Sequence, residues 1–222
     1  MKQWTTVAQA QTPGGGCLSL HEHDGEYLIK VDGVPLMSTR QHTSEELLAQ
    51  RACAHLGRVR GASVLIGGLG FGFTLRAALA ALPGDSRIEV AELMSAVIAW
   101  NRDAQLPLGC DALADSRVVV TQGDVGEIIR DSRGAFDAII MDVDNGPSAL
   151  SSGSNARLYD AAGLRATYGA LRSGGCAAYW SVAPDAAFER RLAQCGFRVE
   201  VEVCRAHGRS GRRHTLFVAF RD

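Results

Sequence analysis

The sequence predicts an α/β fold: a doubly wound, mostly parallel sheet that ends in an antiparallel strand pair and follows a small antiparallel β subdomain. Three observations predict it. From residue 62 onward, short apolar runs alternate with helical patterns, the signature of β-α units joined by right-handed crossovers. At the end of the chain, two strand patterns, Phe197 to Cys204 and His214 to Phe220, are separated by only a short Arg/Gly loop. A parallel crossover needs about a dozen residues or more, so this last pair is antiparallel. Before residue 42, Asp24-Gly25 and Asp32-Gly33 each join two alternating strand patterns, a strong hairpin signal.

Each element follows in order. Residues 1–16 end in Thr12-Pro13-Gly14-Gly15-Gly16 and read as a flexible arm. Residues 17–42 form the N-terminal β subdomain, with strands over 17–23, 26–31 and Val34 to Met37. Residues 43–222 form the main domain. Thr43 with Glu46 fits a capping box, and Leu47, Leu48 and Cys53 to Leu56 supply the apolar stripe of the helix it opens. Strands are then predicted at 63–67, 87–91, 117–121, 136–141 and 175–181, and helices at 73–82, 94–103, 125–131, 156–171 and 185–194. No internal repeat is visible.

A length of 222 residues suits one domain with a small appendage. Hydrophobic residues at 46% and charged residues at 21% exclude a disordered chain, a collagen and a small disulfide scaffold. The formal net charge of −1, from 23 basic and 24 acidic residues, gives no global pull toward nucleic acid or an anionic membrane. Cys17, Cys53, Cys110, Cys176, Cys195 and Cys204 include no C-x-x-C pair and no zinc-ligand spacing. They read as free thiols in a reducing compartment, and no metal site is expected. Ala8-Gln9-Ala10 lacks the apolar stretch that precedes a secretory cleavage site, and no apolar run approaches the ~20 residues of a membrane helix. A cytoplasmic protein is expected.

The chemistry gathers at the carboxyl ends of the predicted strands, where open α/β sheets hold their ligands. Val64-Leu65-Ile66 runs into Gly67-Gly68-Leu69-Gly70-Phe71-Gly72 and then a helix. Glycines let a backbone turn tightly and approach a ligand closely, with helical N–H groups nearby. A dinucleotide fingerprint needs glycine at the sixth position counted from Gly68, and Phe73 stands there. Gly68, Gly70 and Gly72 instead give G-x-G-x-G, the form typical of S-adenosylmethionine (SAM) sites. Glu92 closes the second strand, 22 residues past Gly70, where a carboxylate can accept from both ribose hydroxyls. Asp124 follows the third strand, where a carboxylate can accept from an adenine amino group. The fourth strand ends in Asp142-Val143-Asp144-Asn145-Gly146-Pro147. Asp142 is the first candidate to orient or deprotonate an acceptor, with Asp144 assisting. Two close carboxylates attract a cation such as an amine and raise one another's pKa.

Other features stay open between packing and function. Trp180-Ser181 ends the fifth strand and either lines an acceptor pocket or packs in the core. Tyr159 follows a possible active-site loop, Ser148 to Ser154. His21 and His23 alternate on one strand without further ligands at suitable spacing. Arg205 to His214 is basic and reads as a solvated hairpin tip rather than an anion or RNA site.

The run from Tyr27 to about Pro147 resembles the spermidine synthase (polyamine aminopropyltransferase) family. Val31-Asp32-Gly33-Val34 is similar to its N-terminal D-G-V turn, and Ser44 to Ala49 to its helix before the nucleotide loop. Val64 to Arg76, Glu92, Gly123-Asp124 and Phe136 to Pro147 follow in the family's order. The resemblance implies a seven-stranded, Rossmann-like class I SAM-dependent methyltransferase sheet whose last strand inserts antiparallel, a SAM or decarboxylated SAM ligand, and a homodimer. The amine half departs from the family. Phe71 stands where an aspartate grips the aminopropyl amine, Ser44-Glu45 where a tyrosine-glutamine pair stands, the D-x-x-D-P motif is shortened, and Arg205 to His214 replaces a tyrosine-bearing loop. The first expectation is therefore methyl transfer from SAM to a small acceptor, an amine among the candidates. Aminopropyl transfer from decarboxylated SAM and a non-catalytic nucleoside-binding or scaffold role are the alternatives. No membrane or nucleic-acid partner is expected.

Overall fold

The structure, a computed structural model, describes residues 3–106, 108, 110–143, 155–207 and 210–222. Two sheets organise it. The first is antiparallel, in the order β1 (Thr5–Gln11), β2 (Cys17–His23), β3 (Glu26–Val31), β4 (Val34–Ser38). Asp24 and Asp32 sit at φ 50° beside Gly25 and Gly33 at φ 82° and 79°, the doubly left-handed backbone that a tight Asp-Gly hairpin turn needs. Residues 1–16 correct the sequence reading: Thr5–Gln11 is no arm but a strand on β2, with a register shift between Thr6 and Ala8. Its side chains are largely exposed, so it has little apolar alternation to betray it.

Helix α1 (Thr43–Cys53) leads to the second sheet, and its cap also differs from expectation. His42 takes the N-cap position without a side-chain cap bond, and its ring stacks on Phe73 at 4.2 Å while Nδ1 meets Glu46 at 2.9 Å. The main domain then alternates β5 (Ser63–Gly67), α2 (Phe73–Ala81), β6 (Arg87–Glu92), α3 (Ser95–Arg102), the short α4 (Cys110–Leu113), β7 (Val118–Gln122), α5 (Val125–Asp131) and β8 (Phe136–Met141). It continues through α6 (Ala156–Tyr159), α7 (Ala161–Ala170), β9 (Leu171–Ser181), α8 (Ala186–Gln194), β10 (Arg198–His207) and β11 (Ser210–Phe220). The helix expected over 156–171 is broken at Asp160, whose carboxylate accepts from the N–H groups of Ala162 and Gly163 at 2.8 Å. That local bond caps α7 at the expense of one continuous helix.

The second sheet has seven strands in the order β10-β11-β9-β8-β5-β6-β7. β5 to β9 run parallel, and β11 lies antiparallel between β9 and β10. The terminal pair is therefore antiparallel, as its short loop requires. Alternation divides the core between the two faces. Val64, Ile66, Ala138, Ile140, Ala178, Leu216 and Val218 face α1 and the N-terminal sheet, while Leu65, Ile139, Met141, Ala177, Tyr179 and Phe217 face the other way. Parallel pairing brings the ends of β5, β6, β7, β8 and β9 to one rim. The chain crosses from the β7 edge back to β8 beside β5, which opens a crevice at that rim. Among the described residues, no helix is long and apolar enough to cross a membrane. Cys17, Cys53, Cys176, Cys195 and Cys204 are free thiols.

Candidate active site

The crevice holds a cavity of about 250 Å³. Its wall includes Gly68, Gly70, Glu92, Asp124 and Asp142, from four separate strand ends, so the structure brings together five of the expected site residues. Gly72 stands behind them as the N-cap of α2, at φ 76°. Asp144, and the Ser148 to Ser154 loop, lie outside the described residues.

The glycine loop is held from both sides. Gly68 N–H donates to the Ala91 carbonyl at 2.8 Å, and Asp142 N–H donates to the Gly67 carbonyl at 3.0 Å. Gly68 has φ +92°, and a Cβ there would come within 2.3 Å of the Asp142 carbonyl oxygen. Only glycine permits this backbone to close onto β8. Asn101, buried in α3, donates from Nδ2 to the Gly70 carbonyl at 2.8 Å and steadies the loop from below.

Glu92 is 8% exposed. Its Oε2 accepts from Leu69 N–H at 2.9 Å and its Oε1 from Met94 N–H at 2.8 Å. Burial pushes this carboxyl up, and the backbone N–H groups oppose that shift. The Gly70 and Leu93 N–H groups also reach this carboxylate, so it enters the cavity wall already held by four backbone donors. Asp124 caps α5, its Oδ1 accepting from Gly126 N–H at 2.7 Å, and its Oδ2 pairs with Arg157.

Asp142 accepts from the Thr74 hydroxyl at 2.6 Å. Burial pushes its carboxyl up to about 6, and the Thr74 bond resists. Facing it is a residue that the sequence registered only as a departure from the family. Glu45, in the first turn of α1, also lines the cavity, and its carboxyl is raised well above the usual range by burial, then by the Asp142 and Glu46 charges, against the opposing Arg76 charge. Such a pair, drawn from a helix and a strand 97 residues apart, holds a proton at near-neutral pH and releases it as pH rises. The sequence signal for Glu45 was its place beside the loop-preceding helix cap; its nearness to Asp142 depends on how α1 packs. Phe71 does not face the cavity: it is buried in the core on the α1 side, so no acid replaces the family's aspartate there. Trp180 both lines the cavity and packs against the core, so its two readings meet in one residue, whereas Tyr159 is a core residue whose hydroxyl donates to the Val143 carbonyl at 3.1 Å. His21 is held by Ser19 at 3.0 Å and Thr6 at 3.3 Å in the N-terminal sheet.

No family model matches the chain, and no curated protein matches it in sequence. Solved structures do. The spermidine synthase from Thermotoga maritima superposes with a TM-score of 0.74 at 21% identity, covering 96% of this chain and 72% of that one. The chain has the spermidine synthase fold. A spermidine synthase in complex with the transition-state analogue AdoDATO gives a TM-score of 0.73 at 20% identity with the same coverage. A probable spermidine synthase from Corynebacterium glutamicum gives 0.64 at 17%, covering all of this chain and 81% of that one. The seven-stranded sheet and the antiparallel N-terminal sheet are thus those expected from the resemblance.

Proposed function

We propose that this chain transfers the aminopropyl group of decarboxylated SAM to a small amine. The observation that carries this reading is the charge of the cavity wall. Glu45, Glu92, Asp124 and Asp142 line it, and no lysine, arginine or histidine is among its described lining residues; Arg157 pairs with Asp124 and the Arg76 charge acts on Glu45 from outside that lining, which leaves an excess of acids at the wall. A SAM molecule would bring its own carboxylate into that field unpaired. Decarboxylated SAM lacks it and carries only cationic groups, the sulfonium and the terminal ammonium, which the field favours. This reverses the order of the two expectations from sequence, in which methyl transfer came first. The likeness to spermidine synthases, one of them bound to a transition-state analogue, agrees with the reversal.

The residues present fit such a donor. The close approach of Gly68 to β8 leaves room for a nucleoside against the loop, the Glu92 carboxylate suits the ribose hydroxyls, and Asp124 suits the adenine amino group. The bound donor supplies an electrophilic carbon on a sulfonium that leaves as neutral methylthioadenosine. The protein's part is to align the amine and move its proton. An alkyl ammonium has a pKa of ~10.4, so freeing the nitrogen lone pair at pH 7 costs ~4–5 kcal/mol. Asp142, raised to about 6, is closer to that requirement than an ordinary aspartate of pKa ~3.9 and takes the proton as the C–N bond forms and the C–S bond breaks. The Glu45–Asp142 pair, which keeps one negative charge while it holds a single proton, seats the ammonium beforehand. Alignment of nitrogen, carbon and sulfur supplies much of the remaining rate, up to ~7–11 kcal/mol.

The test is a thermal shift series followed by product analysis. Decarboxylated SAM and methylthioadenosine should stabilise the chain more than SAM does; a ligand at ~100 times its Kd adds ~2.7 kcal/mol. Mixed amine pools with decarboxylated SAM should release methylthioadenosine. Methylated product from SAM, with no release from the decarboxylated donor, would return the reading to methyl transfer.

A further inference from the structure

Trp180, Ser44 and His214 stand on three different elements and meet in one hydrogen-bonded chain, buried at Ser44 and His214 and half-buried at Trp180. Alternation along β9 and β11 turns Trp180 and His214 toward α1, on the same face as Ala178, Leu216 and Val218. Trp180 pairs with Leu216, so His214 is its diagonal neighbour, and the two rings meet edge to face with centroids 4.5 Å apart. Trp180 Nε1–H donates to Ser44 Oγ at 3.0 Å, and Ser44 Oγ lies 2.9 Å from His214 Nδ1. An indole N–H can only donate, so Ser44 accepts on that side, and its hydroxyl also shares a hydrogen bond with Nδ1, whose direction follows the imidazole tautomer. Burial, and then the Arg212 charge, lower the His214 pKa, which favours the neutral imidazole. Ser44 is 2% exposed and His214 9%. Buried polar groups are costly unless each is satisfied, and apolar side chains would fill this space with less at stake. The far end of the chain faces the cavity: Trp180 forms its wall together with Glu45 and Asp142.

We propose that Trp180 is the wall that selects the acceptor amine, and that Ser44 and His214 are positioning residues that hold the indole in place. This rests on the aminopropyl-transfer reading and adds the residues that build and fix one wall of its acceptor's place. The acceptor is an amine carried on an apolar chain: its ammonium faces Glu45 and Asp142, and its hydrocarbon lies along the indole. A cation within ~6 Å of an indole face gains ~0.5–2 kcal/mol, so the same surface serves both the charge and the chain. Heavily hydroxylated or anionic acceptors gain nothing from it.

Nitrogen-15 labelling of tryptophan in the full chain gives three indole N–H signals, from Trp4, Trp100 and Trp180. Ser44→Ala should move the Trp180 signal and raise the KM for the amine by about two- to thirtyfold, with a smaller change in kcat and in donor KM. His214→Leu should do the same. His214→Asn, which keeps an acceptor near the Nδ1 position, should restore most of both. Trp180→Phe combined with Ser44→Ala should be no worse than Trp180→Phe alone, because the target of the positioning is already gone. Wild-type amine KM in Ser44→Ala and His214→Leu, with the indole signal displaced, would overturn the proposal. If the wild-type chain turns over no amine, the transfer reading fails by itself. The wall is then decided by titrating an alkylamine into the methylthioadenosine-bound protein: a moving Trp180 signal upholds it, and an unmoved one sinks it.

Discussion

Asp142 leaves β8 with one carboxylate oxygen on Thr74 and the cavity in front of it. Its folded pKa, about 6, lies above the ~3.9 of an unfolded aspartate, so the folded state holds this proton more tightly. The stability it contributes is complete below pH ~4 and is lost as pH rises through about 6. Asp142→Asn is always neutral. It should abolish transfer, leave methylthioadenosine binding intact, and raise stability at pH 8 by on the order of 1–2 kcal/mol. Calorimetry at pH 8 and pH 5 checks this: the gain should shrink at the lower pH, and a loss at pH 8 would contradict it. The transfer rate of the parent should rise with pH through an apparent pKa that belongs to the Glu45–Asp142 pair. Gly68 is constrained in another way. With φ +92° and the Asp142 carbonyl 2.3 Å from any added Cβ, Gly68→Ala should cost about 2–4 kcal/mol in urea unfolding and abolish nucleoside binding. A cost below about 0.5 kcal/mol would mean that the loop moves freely away from β8.

At the scale of elements, α5 shows one residue serving a helix and a ligand together. Asp124 caps α5 through Gly126 N–H and still borders the cavity. Asparagine caps as well as aspartate and only the half-exposed pair with Arg157 is weakened, so Asp124→Asn should cost no more than about 1 kcal/mol. Its effect should fall on base choice. The parent should prefer methylthioadenosine over methylthioinosine by about ten- to a hundredfold, since a hydrogen bond to a charged group contributes ~1.5–3 kcal/mol. Asp124→Asn can donate to the inosine oxygen and should narrow or invert that preference in calorimetric titration. The same elements show what sequence can reveal. The strands and helices around Gly68, Glu92, Asp124 and Asp142 follow from local periodicity, and each site residue sits at a strand end, where position along the chain already implies position on the rim. β1 escaped because its exposed side chains leave no apolar stripe and a Pro-Gly-rich turn follows it. Glu45 and His214 escaped for a different reason. Nothing local says that α1 lies across β9 and β11, so a glutamate beside a helix cap and a histidine at the edge of a basic loop look like solvated charges.

For the whole molecule, 24 acidic and 23 basic residues nearly cancel, yet four of the acids converge on one cavity of about 250 Å³. The attraction for a cation is therefore local rather than global, and it acts over a few ångströms at the rim of the sheet. Salt separates these two cases. The Debye length falls from ~10 Å at 0.1 M to ~3 Å at 1 M, which screens approach to the cavity mouth but only weakly affects a charge seated inside. At pH 8, where the Glu45–Asp142 pair has shed more of its proton, KM for the amine and for decarboxylated SAM should rise several-fold between low and high salt. The Kd of methylthioadenosine, which carries no charge, should stay flat. At pH 5 the pair is more protonated, so the salt dependence of the cationic substrates should weaken toward that of the neutral product. A steep salt dependence for methylthioadenosine as well would show that ionic strength acts on the fold rather than on the field of the cavity. A flat one for every ligand would remove the four carboxylates as the basis for choosing a donor without a carboxyl group.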